Sequence, residues 1–366
     1  MTGAPALRAY RLKRIHTGWS FATFVAVEYD VLILGRGIAG AVLAETCQLR
    51  GLSFHVIDHK RRGNATMAAG GAVNPVILRR DILCWRGAEF MSAARSFYRA
   101  WDRRNGTSSW EDLPLVKLFA SAAAADHWHQ TAADPGRAPY FSTERPAVVD
   151  AAPLMHPFGY GLVPGAARLD MAAFLETQRH ALLAMNRLTE HDVAEAEVRI
   201  EPHGIRIGSL GGSLLVRCTG PFHGIGGLSL VKGESLLVHI PGMRLHALVH
   251  GGIGMLPAGG ELWGVGSTFK WNDIWEGPTE TARRWMLDRV ADMTSAQVEV
   301  VDHRAGVRPA ARDRKPLLGR TGQHQAVFNG LGARGAMQAP WCAAHLLDHL
   351  FNGAPLDPEV DCARYA

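Results

Sequence analysis

The stretch YDVLILGRGIAGAVLAETCQLRGLSFHVID, residues 29–58, decides how the chain is read. An apolar run, Val31 to Leu34, leads into Gly35-Arg36-Gly37-Ile38-Ala39-Gly40. A helical pattern carrying Leu43, Ala44, Cys47 and Leu49 follows, then Gly51, a second apolar run (Phe54, Val56, Ile57) and an acid, Asp58. Strand, glycine turn, helix, strand and an acid about 20 residues on is the order of a dinucleotide-binding unit. Gly35 permits the tight exit from the strand, Gly37 lets a pyrophosphate approach the backbone, and Gly40 lets the helix lie close on the strand. The helix N-terminus offers free N–H groups and partial positive charge to phosphates. Asp58 suits ribose hydroxyls, and its charge argues against a 2′-phosphate and so against NADP. The turn alone leaves FAD and NAD both open.

Outward from Asp58, Ala68-Ala69-Gly70-Gly71 lies in a loop at the carboxyl edge of a strand, where ligands of open α/β sheets bind. Small residues there let backbone approach a flat ring. Residues 86–104 read as a helix with Phe90, Ala94, Phe97 and Trp101 on a core face. Leu115 to Ala120 reads as a strand. His127 and His129, two apart on a helix, diverge and make no metal pair. The Pro- and Gly-rich run Pro146 to Pro164 crosses between domains, and Leu169 to Leu183 reads as a helix with Asp170 near its start. Short strands around 188–200 and 203–208 precede Leu214 to Cys218 and the turn Thr219-Gly220-Pro221. From 228 to 270, alternating strands with glycine turns are the signature of an antiparallel sheet. Residues 278–293 form a helix opened by Thr279 and Glu280.

The 366 residues suffice for two domains, and no apolar run reaches the ~20 residues of a membrane helix. A formal charge of +5 is small for this size and spread along the chain, which favours a solvated basic surface over a nucleic-acid footprint. Five scattered cysteines without a CxxC fit a reducing cytoplasm and no zinc or iron–sulfur site. Residues 1–27, basic and without an acid, are expected to be a disordered extension.

The second informative stretch is residues 305–350. Ala326-Val327-Phe328 is a strand, Asn329 to Gly335 a glycine-rich turn, and a helix follows from about Ala336. A second helix N-terminus thus faces the ligand edge of the sheet. Reduced flavin is electron-rich at its pyrimidine end, and N–H groups there stabilise that charge. NAD has no such need, so this feature favours FAD.

On these motifs, together with Asn74-Pro75, Gly306-Val307-Arg308-Pro309 and Asp313 to Pro316, the chain resembles the D-amino-acid-oxidase family of FAD-dependent oxidoreductases. Within it, the glycine-oxidase-like enzymes and the oxidase domain of the bifunctional tRNA methylaminomethyl-uridine enzyme are most similar. The resemblance implies an α/β fold: a discontinuous Rossmann-like FAD-binding domain (28–85, 150–225 and 300–366) with an inserted antiparallel-sheet substrate domain (86–149 and 226–299). It implies non-covalent FAD, with Gly35, Gly37, Ile38, Ala39, Gly40, Asp58 and His59 at the ADP half. Ala69, Gly70 and Gly71 would lie along the pyrophosphate and flavin, Val193 near the adenine, Thr219 and Gly220 also against the cofactor, and Gly330, Gly332, Ala333, Arg334 and Gly335 at the pyrimidine edge. Arg308, beside the cofactor, matches the arginine that holds a substrate carboxylate, a task suited to a permanently charged, bidentate donor.

The expected reaction is oxidation of the C–N bond of an amino acid or secondary amine by hydride transfer to flavin, followed by imine hydrolysis. It needs no nucleophile or metal, and none is signalled. His250 and His303 are the candidate bases, although lone histidines are more often structural. Two alternatives remain: a flavin oxidase acting on a modified uridine in tRNA, and a non-catalytic FAD-binding member. The absence of a methyltransferase partner domain counts against the tRNA reading.

Overall fold

A computed structural model describes residues 29–59, 63–222 and 226–366. The expected N-terminal extension, 1–27, lies outside the described residues. In chain order the first elements are β1 (Tyr29–Leu34), α1 (Ile38–Leu49), β2 (Phe54–Asp58), α2 (Ala65–Ala68), β3 (Ala72–Val73), β4 (Val76–Ile77), β5 (Ile82–Leu83) and α3 (Gly87–Asn105). Then come β6 (Trp110–Asp112), β7 (Leu115–Leu118), α4 (Ala122–Ala132), α5 (Ala147–Asp150), β8 (Tyr160–Val163), β9 (Ala167–Leu169), α6 (Met171–Ala184) and β10 (Leu188–Glu190). The rest are β11 (Val198–Glu201), β12 (Gly204–Ile207), β13 (Leu210–Arg217), β14 (Leu228–His239), β15 (Leu248–His250), β16 (Gly254–Pro257) and β17 (Leu262–Gly266), followed by α7 (Glu280–Ala291), β18 (Glu299–Ala311), β19 (Leu317–Gly322), β20 (Gln325–Asn329) and α8 (Gly335–Asn352).

Two sheets organise the molecule, as the α/β reading requires. In the first, β10, β2, β1, β13 and β20 run parallel, and antiparallel β12–β11 and β19 extend it. Val31 to Leu34 is buried throughout, as a central parallel strand should be. Helix α1 is small-residue-rich and buried from Ile38 to Cys47 because it lies between this sheet and α8. The second sheet runs β18-β14-β17-β16-β15-β7-β8 and is antiparallel except where β15 meets β7. Its own core includes Leu236, Val238, Met255, Trp263 and Val265.

Three segments sit elsewhere than the sequence boundaries placed them. Helix α3 packs on α8 and contributes Phe90, Ala94 and Trp101 to the core beneath the parallel sheet. Strands β8 and β18 belong to the antiparallel sheet, because their partners β7 and β14 lie there. On α3, Tyr98 is fully buried while Phe97 is only partly so, since the buried row steps from 94 to 98. The strand expected over 188–200 is interrupted: a 3₁₀ turn at Glu195–Glu197 separates β10 from β11, and Glu197 Oε1 accepts the Ala194 N–H at 2.7 Å. Asp170 and Thr279 cap α6 and α7 by accepting the N–H groups of Ala173 and Ala282.

Candidate cofactor and substrate site

A cavity of about 350 Å³ opens beyond the carboxyl ends of β1 and β2, where the two sheets meet. It lies within the size range of small-molecule sites. Gly35, Gly37, Ile38, Ala39, Asp58, His59, Ala69, Gly70, Gly71, Thr219, Gly220, Gly332, Ala333, Gly335 and Arg308 all line it. Thus motifs from both ends of the chain converge on one space.

The glycine turn has its shape for steric reasons. Gly35 has φ +101°, and a Cβ on Gly40 would overlap the Gly35 carbonyl oxygen, so α1 can start here only with hydrogen at both positions. The N–H of Arg36 donates to Asp58 Oδ1 at 2.9 Å, and Arg36 Nε lies 3.6 Å from Oδ2. Arg36 Nη1 also donates to Leu175 O at 2.7 Å. Burial lowers the Arg36 pKa, opposed by the Asp58 charge. Thr66 Oγ1 accepts the Ile38 N–H at 3.1 Å, tying α2 to the start of α1. Thr219 Oγ1 is buried against the cavity and finds no hydrogen-bond partner among the described residues.

The late turn is joined to the early one. Asn329 Nδ2 donates to Gly220 O at 2.8 Å, while its Oδ1 accepts the Gly330 N–H at 2.9 Å. A Cβ on Gly335 would lie 2.8 Å from Ile38 Cγ2, so the N-termini of α1 and α8 meet at the cavity wall. Two positive helix ends therefore face the same space. The antiparallel sheet holds the small-residue loop in place: Ser235 Oγ donates to Ala68 O at 2.9 Å, and Val307 N to Gly63 O at 2.9 Å.

Arg308, on β18, is the most distinctive side chain in the lining. Its Nη1 donates to Thr268 O at 3.1 Å, its Nη2 donates to Ser267 Oγ, and its Cζ sits 4.8 Å from the Phe269 ring centroid. No carboxylate pairs with it among the described residues. Burial alone pulls its pKa down to about 10, which leaves it charged at neutral pH. Gly233 on β14 makes this placement feasible, because a Cβ there would overlap the guanidinium. The sequence reading gave no role to Gly233, Thr66 or Ser235; the GVRP motif marked Arg308 but not the strand that makes room for it.

Some expected residues stand apart from the cavity lining. Gly40 and Gly330 shape the turns from behind. Arg334 acts on the Cys84 thiol, lowering a pKa that burial raises. Val193 is buried among Leu34, Ile57 and Leu215. Neither candidate base lines the cavity. Burial, aided by the Lys117 charge, takes His250 down to about 4, so it is neutral at physiological pH. His303 Nε2 lies 3.0 Å from Glu234 Oε2, off the line a hydrogen bond needs. All five cysteines are free, and Cys342 is buried within α8. No group of metal-ligating residues occurs among the described residues, and no helix there is long and apolar enough to cross a membrane.

Residues 30–349 match the family of FAD dependent oxidoreductases, and the chain belongs to it. It is 26% identical over 353 residues to a tRNA 5-methylaminomethyl-2-thiouridine biosynthesis bifunctional protein from Maricaulis maris (strain MCS10); the match takes in 90% of this chain and 53% of that protein. The chain thus spans about half the length of this curated relative. Among solved structures, iminodiacetate oxidase from Chelativorans sp. BNC1 aligns with a TM-score of 0.73 at 21% identity, covering 92% of this chain and 98% of that one. Glycine oxidase from Bacillus cereus ATCC 14579 gives 0.74 at 17%, covering 90% and 96%. L-proline dehydrogenase from P. horikoshii gives 0.74 at 15%, covering 93% and 98%. These likenesses establish the shared fold, a parallel FAD-type sheet joined to an antiparallel sheet.

Proposed function

We propose that this FAD-dependent oxidoreductase oxidises the C–N bond of an amino acid or of a secondary amine bearing a carboxylate. The observation that carries this reading is Arg308: a desolvated guanidinium in the cavity wall, held by neutral acceptors and lacking an acidic partner among the described residues. A largely desolvated cation without a counter-charge is costly, and a substrate carboxylate relieves that cost.

The lining fits FAD held non-covalently. Gly37 and Ala39 present backbone at the start of α1 for the pyrophosphate, and Asp58 keeps carboxylate lone pairs for the ribose beside the one that Arg36 uses. Ala69, Gly70 and Gly71 give a side of small residues to the flavin. Gly332, Ala333 and Gly335, at the N-terminus of α8, supply positive potential for its pyrimidine edge. The buried Thr219 hydroxyl is a donor for a cofactor oxygen.

When bound, FAD supplies the two-electron acceptor for the hydride leaving a C–H beside an amine nitrogen, and water hydrolyses the resulting imine. Arg308 orients the substrate by its carboxylate, fixing which C–H faces inward. Leu236, Leu237, Leu256 and Val265 exclude water from the reacting carbon. Asp170, which also lines the cavity, caps α6 and pairs with Arg168 at 3.2 Å, so it is engaged elsewhere. His250 and His303 stand outside the lining, so neither takes a proton from the substrate amine there.

Anaerobic bleaching of the bound flavin by a panel of amino acids and N-alkyl amino acids, each beside its decarboxylated amine, tests this. Bleaching by the acids and not by the amines is expected. Equal bleaching by both, or undiminished bleaching by the acids in Arg308→Ala, would overturn the carboxylate reading. The 26% identity to the tRNA-modifying protein supports a second reading, a modified uridine as substrate. Salt-sensitive binding of tRNA, with bleaching by the tRNA alone, would favour it.

A further inference from the structure

The segment 267–279 leaves β17 and continues beside β14 instead of looping free. Thr268 N donates to Glu234 O at 3.2 Å, and Lys232 and Lys270 exchange backbone bonds of 2.8 and 3.0 Å. Beneath it lies a charged pair almost without exposure, Lys232 at 0% and Glu234 at 2%, joined at 2.9 Å. Lys232 Nζ also donates to Gly277 O at 2.7 Å, and the Glu234 carboxylate accepts from Thr279 N at 2.7 Å and Thr279 Oγ1 at 2.9 Å. The segment is therefore a strap fixed at 268, 270, 277 and 279. Between these points it carries three exposed aromatic side chains: Phe269 (57%), Trp271 (63%) and Trp275 (54%).

Two of the rings touch the site. Phe269 covers one face of the Arg308 guanidinium. Trp275 reaches across to the parallel-sheet unit, where it stacks on Phe222 with centroids 5.5 Å apart and planes 28° apart. Phe222 in turn meets His59 edge-on at 5.3 Å, and both Phe222 and His59 line the cavity next to Asp58. A Cβ on Gly63 would also contact the Trp275 ring at 3.4 Å. One strap thus holds the anion-binding arginine at one point and a row of rings leading to Asp58 at another.

We propose that Trp275 is a positioning residue for the ADP half of FAD, and that the 267–279 strap couples cofactor retention to occupancy of Arg308. This rests on the reading of Asp58 as the ribose-side acid and of Arg308 as the carboxylate clamp. Trp275 fixes the Phe222 ring over the cavity mouth, so that Phe222 and His59 close on the ADP moiety. An anion at Arg308 tightens the 267–269 turn, and the fixed strap carries that order to Trp275. Linkage makes the effect reciprocal.

The test dilutes FAD-loaded protein and follows the rise of flavin fluorescence. Trp275→Ala is expected to weaken FAD retention about three- to tenfold, the scale of one lost aromatic pair, and Trp275→Phe to recover most of it. Acetate, as a bare carboxylate probe, is expected to slow FAD release from the wild type, but not from Trp275→Ala or Arg308→Ala. Wild-type retention in Trp275→Ala would overturn the positioning role. Equal acetate protection of wild type and Trp275→Ala, or none in wild type, would overturn the coupling. A wild-type protein that carries no FAD would instead refute the cofactor assignment itself, a separate failure.

Discussion

Gly233→Ala is the most incisive test of the site, because it adds one methyl group on a strand and removes no charged group. That methyl would overlap the Arg308 guanidinium. The obstructing atoms are the far end of a flexible side chain, so the backbone need not move and Arg308 swings aside. In a strand, alanine is favoured over glycine by about 0.5–1 kcal/mol, which offsets part of the local crowding. The melting temperature should therefore shift by only a few degrees. The clamp should suffer more. Losing a charge-assisted, two-point carboxylate contact costs about 1.5–3 kcal/mol, or roughly ten- to hundredfold in kcat/KM. The loss should appear mainly in KM, because the contact is made in ground and transition states alike. The assay is steady-state kinetics on the best substrate for wild type, Gly233→Ala, Arg308→Ala and the double variant. Since the methyl acts only through Arg308, Gly233→Ala should cost almost nothing once Arg308 is gone. Additive losses in the double variant would refute the reasoning, and so would an unchanged KM in Gly233→Ala.

The buried pair under the strap gives a stability prediction. Lys232→Ala leaves Glu234 buried without its partner and should destabilise by about 3–5 kcal/mol in urea unfolding, whereas replacing both with apolar residues should cost much less. Asn329→Ala, which unties Gly220 from Gly330, should cost about 1–3 kcal/mol and speed FAD release on dilution. For His250 the sign of the pH effect follows from its lowered value. The unfolded chain takes up a proton near 6.5 and the folded chain only near 4, so the contribution is intact above pH 6.5 and lost progressively down to about pH 4. It amounts to at most about 3 kcal/mol, and His250→Gln should flatten urea midpoints over that range. The same variant should leave the pH profile of kcat unmoved, because the ring does not line the cavity.

Much of the scaffold is legible in the residues because it rests on local rules. The Gly35–Gly40 spacing, the apolar runs of β1 and β2 and the caps at Asp170 and Thr279 each carry their physical reason within a few positions. The late turn at Asn329 to Gly335 is legible for the same reason. What the chain order hides is pairing across distance. Nothing near Arg308 announces that Gly233 clears space for it, since the two meet only when β14 and β18 register with Val231 opposite Arg308. Lys232 and Glu234 look like an ordinary solvated alternation until β14 proves to be covered by the strap. The placement of β8 and β18 in the antiparallel sheet likewise depends on partners, and no window of local sequence contains that information.

The order of strands in the parallel sheet has a consequence for how the protein is made. β1 is translated about 180 residues before its neighbour β13, and about 300 residues before β20 and the start of α8. At a few to some twenty residues per second, the glycine turn at Gly35 spends many seconds without the wall that Asn329 and Gly335 complete. A nascent chain halted anywhere before Gly335 carries the dinucleotide fingerprint but lacks the α8 helix end that meets Ile38. With FAD seated as proposed, its capture waits until the start of α8 has emerged. In that placement FAD stabilises by mass action the chains that carry α8, and not chains halted before it.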